Sequence, residues 1–593
     1  MSSRYFNNPR LTRVMFGSKI TQGNKKPRSY FQEESQSNRW LLLFLPLCIF
    51  LIVASAKLFE LQLIKGAYFR QLAEGNRIRR IPIKAPRGEI FDRNGVALAR
   101  NIPIYKIATF SNSGVVTKTD SISREEAIKL QSGGDSEEAN RLLIEVGREY
   151  PLTEAAAHVV GYVNEASEKE VGQRPDCPQD SQKPSYQVSD LIGRMGVEEQ
   201  YECLLRGENG EELIEVDARG RLVRRLGRKD PTPGTSIKLT IDSALQRAAF
   251  DALTDAPNEK ATAPIRESGG VVRGALVVQN PTHGEILAIV STPSFDPNNI
   301  TADYAKWVQD PNLPFFNRAI SGAYHPGSTF KIITSTAGLE EGKIDKDFEY
   351  VDTGEIKVGE FSFKNWYFLK YGKGEGSINL ARAIARSTDT FFYKVGEFLG
   401  PTRLADWATT YGLGRRNGID LPGEVAGLIP TPEWKEKTKG ERWFLGNTYH
   451  MSIGQGDVAA TPLQISSMTS VVANGGNLCV PRVWVGDGGG KCKNLGIKDS
   501  TLEVVKEGML GACSPGGTAG VFFNFKPQTS CKTGTAQTIS EKTHAWFTSY
   551  APAEVVEEGA QSAIVVTAIV EDGGEGSVVA APVVKKVYQE WFK

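Results

Sequence analysis

His325-Pro-Gly-Ser-Thr-Phe-Lys331 sets a serine and a lysine three residues apart, just after a Pro-Gly turn signal and at the head of a helix-patterned run to Glu341. Pro and Gly punctuate the preceding loop and serine suits a first helical turn, so the stretch predicts a helix over 328–341. A spacing of three puts Lys331 one turn above Ser328 on the same face. A serine hydroxyl is a weak nucleophile until a neighbouring base takes its proton, and a partly buried lysine with a lowered pKa can do that. Backbone N–H groups at a helix start can also steady a developing oxyanion. Alone the pair says little, because a chain of 593 residues should show Ser-x-x-Lys by chance.

Two later segments give it meaning. Ser387-Thr388-Asp389 falls within a helical pattern from Ile378 to Phe398 and offers a hydroxyl and a carboxylate to shuttle protons or bind substrate. Lys532-Thr533-Gly534-Thr535 lies in a strand-like segment. There Lys532 supplies positive charge, the threonines supply hydroxyls for a substrate carboxylate, and Gly534 lets a ligand backbone come close. An extended peptide can add to such a strand edge through main-chain hydrogen bonds. Lys-Thr-Gly by itself is more often an ordinary turn; the ordered set of three reverses that reading.

The surrounding texture points to an α+β fold. Ser236–Asp242 reads as an alternating strand and Ser243–Leu253 as a helix. Gly274–Gln279 and Glu285–Val290 are apolar runs joined by Asn280-Pro-Thr-His-Gly284, a hairpin. Ala545–Tyr550 and Ser562–Val570 are further strands, and Ala581–Trp591 is a closing helix. Strands at both ends with helices between them imply an antiparallel sheet with helices on both sides. Upstream, from Lys57 to about Gly234, the chain is more charged. It carries a strand over Ile104–Phe110 and two loop-like stretches, Lys118–Asn140 and Gln173–Tyr186, but no catalytic cluster.

Trp40–Ala56 is almost wholly apolar and is flanked by Arg39 and Lys57. As a helix it would span roughly 26 Å, close to the hydrocarbon thickness. Ala54-Ser55-Ala56 resembles a cleavage site, but the preceding segment is far longer than a signal-peptide n-region, and the apolar pattern continues through Leu58, Leu61, Leu63 and Ile64. The reading is an uncleaved anchor. Arg4, Arg10, Arg13, Lys19, Lys25, Lys26, Arg28 and Arg39 face only Glu33 and Glu34 in the tail, which keeps it cytoplasmic and exports the rest. Six cysteines then lie outside: Cys177, Cys203, Cys479, Cys492, Cys513 and Cys531. An even number in an oxidising compartment permits disulfides, with Cys479–Cys492 and Cys513–Cys531 the pairs nearest in sequence; free buried thiols remain an open alternative. A net charge of +1 gives no reason to expect a nucleic-acid partner, which usually demands a concentrated basic field. Five scattered histidines show no metal-ligand spacing.

Ser-x-x-Lys, a Ser-x-Asn-type motif and Lys-Thr-Gly together are the signature of penicillin-binding proteins and class A β-lactamases. The segments around them, Ile453-Gly-Gln-Gly456, Ala460-Thr-Pro-Leu-Gln464 and Lys532-Thr-Gly-Thr-Ala-Gln537, resemble class B penicillin-binding proteins. So do Ala85-Pro-Arg-Gly-Glu-Ile-Phe-Asp-Arg-Asn-Gly95 and Val216-Asp-Ala-Arg-Gly220 upstream. Asp389, where many members carry asparagine, resembles the elongation-type penicillin-binding protein 2. Thr388 stands where some of those members have a zinc-binding cysteine, so no metal and no cofactor is expected. The stretch between Asn101 and His158 looks short for the family's pedestal head, and no glycosyltransferase-like segment precedes the rest.

The resemblance implies a cytoplasmic tail at 1–39, a transmembrane anchor at 40–57, an elongated pedestal of the dimerisation type at 58–234 and a serine-transpeptidase, β-lactamase-like domain at 235–593. It implies acyl transfer: Ser328, deprotonated by Lys331, attacks the carbonyl between the two D-alanines of a peptidoglycan stem peptide. Ser387 and Asp389 take part in proton transfer. Lys532, Thr533, Gly534 and Thr535 bind substrate, and the N–H groups of Ser328 and Thr535 form the oxyanion hole. β-Lactams would acylate the same serine at the outer face of the cell (inner) membrane, and the implied protein partner is a polytopic peptidoglycan glycosyltransferase. Among rivals, a β-lactamase lacks a Glu-x-x-Leu-Asn segment here, a β-lactam sensor lacks further spans and His-Glu-x-x-His, and a septal transpeptidase is disfavoured by Asp389. A silent scaffold is at odds with three intact motifs.

Overall fold

The computed structural model describes residues 39–68, 78–110, 116–132, 142–178, 182–187, 189–216, 222–256, 270–486, 490–538, 542–554 and 563–593. The basic tail before Arg39 and residues 217–220 of the Val216–Gly220 motif lie outside them.

The chain divides into two units, 1–78 and 79–593. In the first, an α-helix over Arg39–Phe59 continues as a π-helical turn over Glu60–Ile64. Its Phe44–Ile64 segment has a mean hydropathy of 2.0 and buries none of its length. Among the described residues it is the one helix long and apolar enough to cross a membrane. Helical structure runs past Lys57, the expected end of the anchor, because Leu58, Leu61, Leu63 and Ile64 extend the apolar surface. Pro46 sits inside the helix without ending it, as membrane helices tolerate.

The second unit is built around a five-stranded antiparallel sheet. Its spatial order is Ile286–Thr292, Gly274–Gln279, Ile564–Val570, Thr543–Ala551, Ser530–Gln537. The first and last segments of the catalytic half therefore meet in one sheet, and the helical middle of the chain is packed beside it. Alternation along the strands divides the core in two. Ala275, Val277, Trp546, Val565 and Ile569 face one side, with Leu463, Ile465, Met468 and Val472 of the Pro462–Ala473 helix. Leu276, Val278, Phe547, Val566 and Ala568 face the other, with Leu245, Phe250, Val584 and Tyr588 of the Ser243–Thr254 and Ala580–Trp591 helices. Because both faces are covered, the Gly274–Gln279, Ile286–Thr292 and Ile564–Val570 strands read as mainly apolar runs, and each fully buried Leu, Ile or Val adds about 1.5–3 kcal/mol. Thr469, Thr548 and Thr567 hydroxyls join in a chain of 2.7 Å contacts through this layer, so these three buried hydroxyls are partnered.

Upstream, the Ala97–Phe110 strand is flanked by Val116–Ile122 and Leu142–Glu149 and also pairs with Ile90–Phe91. Arg87 of the Ala85–Gly95 motif is buried with its Nε 2.5 Å from Glu198 Oε2 and Nη2 2.6 Å from Glu202 Oε2, while Arg148 Nε meets Glu198 Oε1 at 2.8 Å. Removing one partner of such a buried set typically costs about 3–5 kcal/mol. Gly88 follows because a Cβ there would fall 2.0 Å from the Thr235 carbonyl oxygen. This region joins the sheet domain through Tyr201 Oη, which donates to Asp420 at 2.6 Å, and Asp92, which accepts from the Ser243 hydroxyl at 2.7 Å.

Four sequence expectations change. Lys118–Asn140 is not all loop: it holds part of the Val116–Ile122 strand and a helix at Arg124–Ser132, with 133–140 outside the described residues. The Ser236–Asp242 strand shrinks to Ile237–Lys238, since Thr240 Oγ1 donates to the Ile286 carbonyl and Asp242 caps the next helix. The 328–341 helix begins as a 3-10 turn at Gly327–Phe330, with α-helix from Lys331. Ile378–Phe398 starts in the Gly376–Asn379 strand and is then broken into a helix at Leu380–Arg386 and a second that starts at Asp389 and is interrupted at Gly400. Three disulfides close Cys177–Cys203, Cys479–Cys492 and Cys513–Cys531.

Candidate active site

Ser328 lies in the Gly327–Phe330 turn, half-buried. The turn is gripped on two sides. Gly327, at φ 55°, donates its N–H to the Gly454 carbonyl at 2.9 Å, and a Cβ on Gly454 would come within 2.4 Å of the Gly327 oxygen. That contact explains the first glycine of Ile453-Gly-Gln-Gly456. On the other side, a Cβ on Gly534 would meet Trp546 Cβ at 2.9 Å, Thr329 Cγ2 at 3.1 Å and the Pro326 oxygen at 3.2 Å. Gly534 thus makes room for the serine turn itself, where the sequence had suggested room for a ligand backbone.

Lys331 heads the α-helix and is fully buried. Its Nζ donates to Asp389 Oδ1 at 2.6 Å, the Ser387 carbonyl at 2.9 Å and Ser387 Oγ at 3.2 Å. It also lies 5.2 Å from the Phe392 ring centre, a favourable cation–π distance. Ser387 caps the Leu380–Arg386 helix in the left-handed region, φ 58° and ψ 40°. This break turns its hydroxyl toward both lysines: Lys532 Nζ donates to Ser387 Oγ at 2.8 Å and to the Thr533 carbonyl at 3.0 Å. Lys331, Ser387, Asp389 and Lys532 are therefore one connected cluster. Ser328 Oγ makes no hydrogen bond to a described residue.

Burial pushes Lys331 below the ordinary lysine range, and Asp389 works against that. Burial pushes Lys532 well below it, with the Lys331 charge adding to the effect and Asp389 opposing it. Two ammonium groups here would share one adjacent carboxylate.

The Ser530–Gln537 strand is the last of its sheet, so one edge is free of strand pairing beside the serine turn. Its alternation puts Lys532 and Gly534 on the pleat facing the turn and Thr533 and Thr535 on the opposite pleat. Thr533 Oγ1 donates to Thr518 Oγ1 at 3.0 Å, and Thr535 is exposed with its carbonyl accepting from Gln455 Nε2 at 3.4 Å. The two threonine hydroxyls are not brought into the lysine cluster.

Asn365, Trp366 and Glu375, which carry no sequence signal, complete the surroundings. Trp366 N–H donates to Asp389 Oδ2 at 3.1 Å, and Asn365 Oδ1 accepts from Asp389 N–H at 3.3 Å. Thr388 Oγ1 donates to Glu375 Oε2 at 2.7 Å, and Arg386 Nε meets Glu375 Oε1 at 2.7 Å. Among the described residues no three His, Cys, Asp or Glu side chains are grouped to hold a metal.

Residues 274–589 match the penicillin binding protein transpeptidase domain, more than half of the chain, and 109–239 match the penicillin-binding protein dimerisation domain. The chain belongs to the penicillin-binding protein family. It is 32% identical to the peptidoglycan D,D-transpeptidase MrdA of Acinetobacter baumannii, over 95% of this chain and 89% of that one. Among solved structures, a chain from a peptidoglycan synthase complex that coordinates polymerization and crosslinking superposes with a TM-score of 0.73 at 31% identity, covering 94% of this chain and 98% of that one. PBP2 of Helicobacter pylori in complex with MreC gives 0.71 at 25% identity, covering 86% and 98%. This penicillin-binding protein is thus of class B and resembles the elongation-type protein PBP2. Its cluster of Lys331, Ser387, Asp389 and Lys532 falls wholly within the transpeptidase match.

Proposed function

We propose that Ser328 is the nucleophile of this peptidoglycan D,D-transpeptidase and that Lys331 is its general base. The observation that carries the reading is the buried Lys331 amine, set one turn from Ser328 and linked through Ser387 Oγ to Lys532. Burial favours the neutral amine, the form able to accept the serine proton. Ser328 Oγ attacks the carbonyl of the penultimate D-alanine while its proton passes to Lys331. The resulting tetrahedral oxyanion sits between the N–H groups of Ser328 and Thr535. The C–N bond to the terminal D-alanine then breaks, and the leaving amine takes a proton delivered from Lys331 by way of Ser387. An amine of a second stem peptide attacks the acyl-enzyme, forms the cross-link and frees Ser328.

Lys532, Thr533, Gly534 and Thr535 bind the stem peptide along the open strand edge. The substrate carboxylate brings Lys532 a counter-charge beyond Asp389, which it shares with Lys331, and so favours the ammonium form of Lys532. β-Lactams present a strained amide and a carboxylate to the same groups, so they acylate Ser328 and inhibit.

The division into tail 1–39, anchor 40–57, pedestal 58–234 and catalytic domain 235–593 fits this work. A basic tail on the cytoplasmic side and a single span hold the catalytic domain outside, where peptidoglycan is cross-linked. The likeness to a chain of a peptidoglycan synthase complex supports a polytopic glycosyltransferase as partner and a role in elongation and shape maintenance.

The test is cross-linking of nascent glycan by the full chain with its glycosyltransferase. Wild-type protein yields peptide dimers with release of one D-alanine per cross-link, and Ser328→Ala yields none. Dimers formed by Ser328→Ala would remove the serine from its role.

A further inference from the structure

We infer that Asp352 is a positioning residue for acylation: through Asn365 it fixes the Asp389 carboxylate against Lys331. This rests on the reading of Ser328 and Lys331 as nucleophile and base.

Asp352 ends the Glu349–Asp352 strand and is only 2% exposed. Its Oδ1 accepts from Gly354 N–H at 2.8 Å and Thr390 Oγ1 at 2.7 Å, and its Oδ2 from Asn365 Nδ2 at 3.0 Å and Glu375 N–H at 2.9 Å. Four donors occupy the four lone-pair positions of one carboxylate. No cation is among them, so this buried acid is spent entirely on orienting neighbours.

Two of those neighbours frame Asp389. Asn365 is fully buried and heads the Trp366–Tyr371 helix, with its N–H held by the Gly354 carbonyl at 2.8 Å. Because its amide nitrogen goes to Asp352, its Oδ1 is turned toward Asp389 N–H. The next residue, Trp366, gives its N–H to Asp389 Oδ2. Thr390, which follows Asp389, is tied back to Asp352 Oδ1. Asp389 is thus held ahead of and behind its own Cα, and its remaining oxygen, Oδ1, faces Lys331 Nζ at 2.6 Å.

An asparagine at 352 cannot keep this arrangement. Whichever oxygen becomes NH2 would face an N–H donor, Gly354 on one side or Asn365 and Glu375 on the other, and a buried donor facing a donor is costly. The Asn365 amide then shifts or flips and Asp389 loses its fixed direction. The charged groups around Lys331 are Asp389, Lys532 and Glu375. With Asp389 misaligned, Lys331 keeps its burial and its Lys532 neighbour, and it loses its proton at lower pH.

The experiment is a double-mutant cycle on the full chain in detergent, with the second-order rate of labelling by a fluorescent penicillin measured across pH. Asp352→Asn is expected to slow labelling about 10-fold or more and to move the rising limb of the pH profile to lower pH. In an Asp389→Asn background the same change should cost less than about 2-fold, because the residue it acts through is already altered. Asn365→Ala, run in the same cycle, removes the bridge while leaving Asp352 three donors, and it carries the test if Asp352→Asn does not fold. Equal losses in both backgrounds, or an unchanged rate and profile in the single variants, overturn the relay. Ser328→Ala is run alongside: if it stays unlabelled while the losses are additive, the relay alone fails, whereas labelling of Ser328→Ala would remove the nucleophile assignment and the relay with it.

Discussion

Lys331 Nζ donates to Asp389 Oδ1 at 2.6 Å although the lysine is wholly buried and the carboxylate almost so. Burial favours the neutral amine and the ion pair favours the ammonium. Burial is the larger of the two effects, so the Lys331 pKa lies below the ordinary lysine value despite Asp389. A base that can also return a proton needs that balance.

The acylation rate should therefore rise with pH as Lys331 loses its proton, with the midpoint below the ordinary lysine value of about 10.4. Lys331→Arg keeps a permanent charge and cannot act as base, so acylation should fall about 10²–10⁴-fold. Stopped-flow labelling with a fluorescent β-lactam across pH reads both effects. A rate in Lys331→Arg close to wild type would contradict the assignment.

Gly534→Ala should push the serine turn off its strand, because the added methyl meets Trp546, Thr329 and the Pro326 carbonyl. Overpacking of this kind costs about 1–3 kcal/mol. The melting temperature should drop and acylation should slow, whereas an unchanged labelling rate would mean that the turn is placed by Gly454 alone.

His158 is fully buried, with Nε2 2.8 Å from the Pro314 carbonyl, and burial lowers its pKa from 6.5 to about 4. The unfolded chain then binds more protons between pH 4 and 6.5, so stability rises with pH through that window and is lost as pH falls. The shift corresponds to about 3 kcal/mol. In thermal melts from pH 7 down to 4, His158→Gln should lose less stability than wild type; an identical slope for both would show that another group sets the acid limit.

Cys531 precedes Lys532, and its disulfide to Cys513 ties the end of the Asp499–Ala512 helix to the site strand. Closing a loop of this length contributes about 3 kcal/mol. Alkylation of the native full chain should find one thiol, Cys48, and alkylation after reduction should find all seven. Cys513→Ser with Cys531→Ser should lower both melting temperature and acylation rate. Seven reactive thiols in unreduced, denatured protein would remove the disulfides from the account.

The three motifs and the strands around them were legible because each carries its signal within a few residues: apolar runs for a sheet covered on both faces, Asn280–Gly284 for the hairpin, Ser-x-x-Lys for the turn. The Arg124–Ser132 helix was also written in the sequence, as a capping box in which Ser123 and Glu126 exchange hydrogen bonds at 3.0 and 3.2 Å. Its polar faces hid it among loop residues. The left-handed Ser387 could not be read, since neither Gly nor Asn marks it, and the break it makes decides where its hydroxyl points. Asp352, Asn365 and Glu375 escaped for another reason: their part is played through contacts across 13 to 38 positions of sequence, and no local pattern announces them. The Cys177–Cys203 pair was missed because 26 positions separate its members.

The most direct test of the central claim is mass spectrometry of the full chain after exposure to benzylpenicillin, followed by peptide mapping. The account expects one stable adduct, on Ser328, with the drug otherwise intact. Turnover of the drug without an adduct, or an adduct on any other residue, would contradict it.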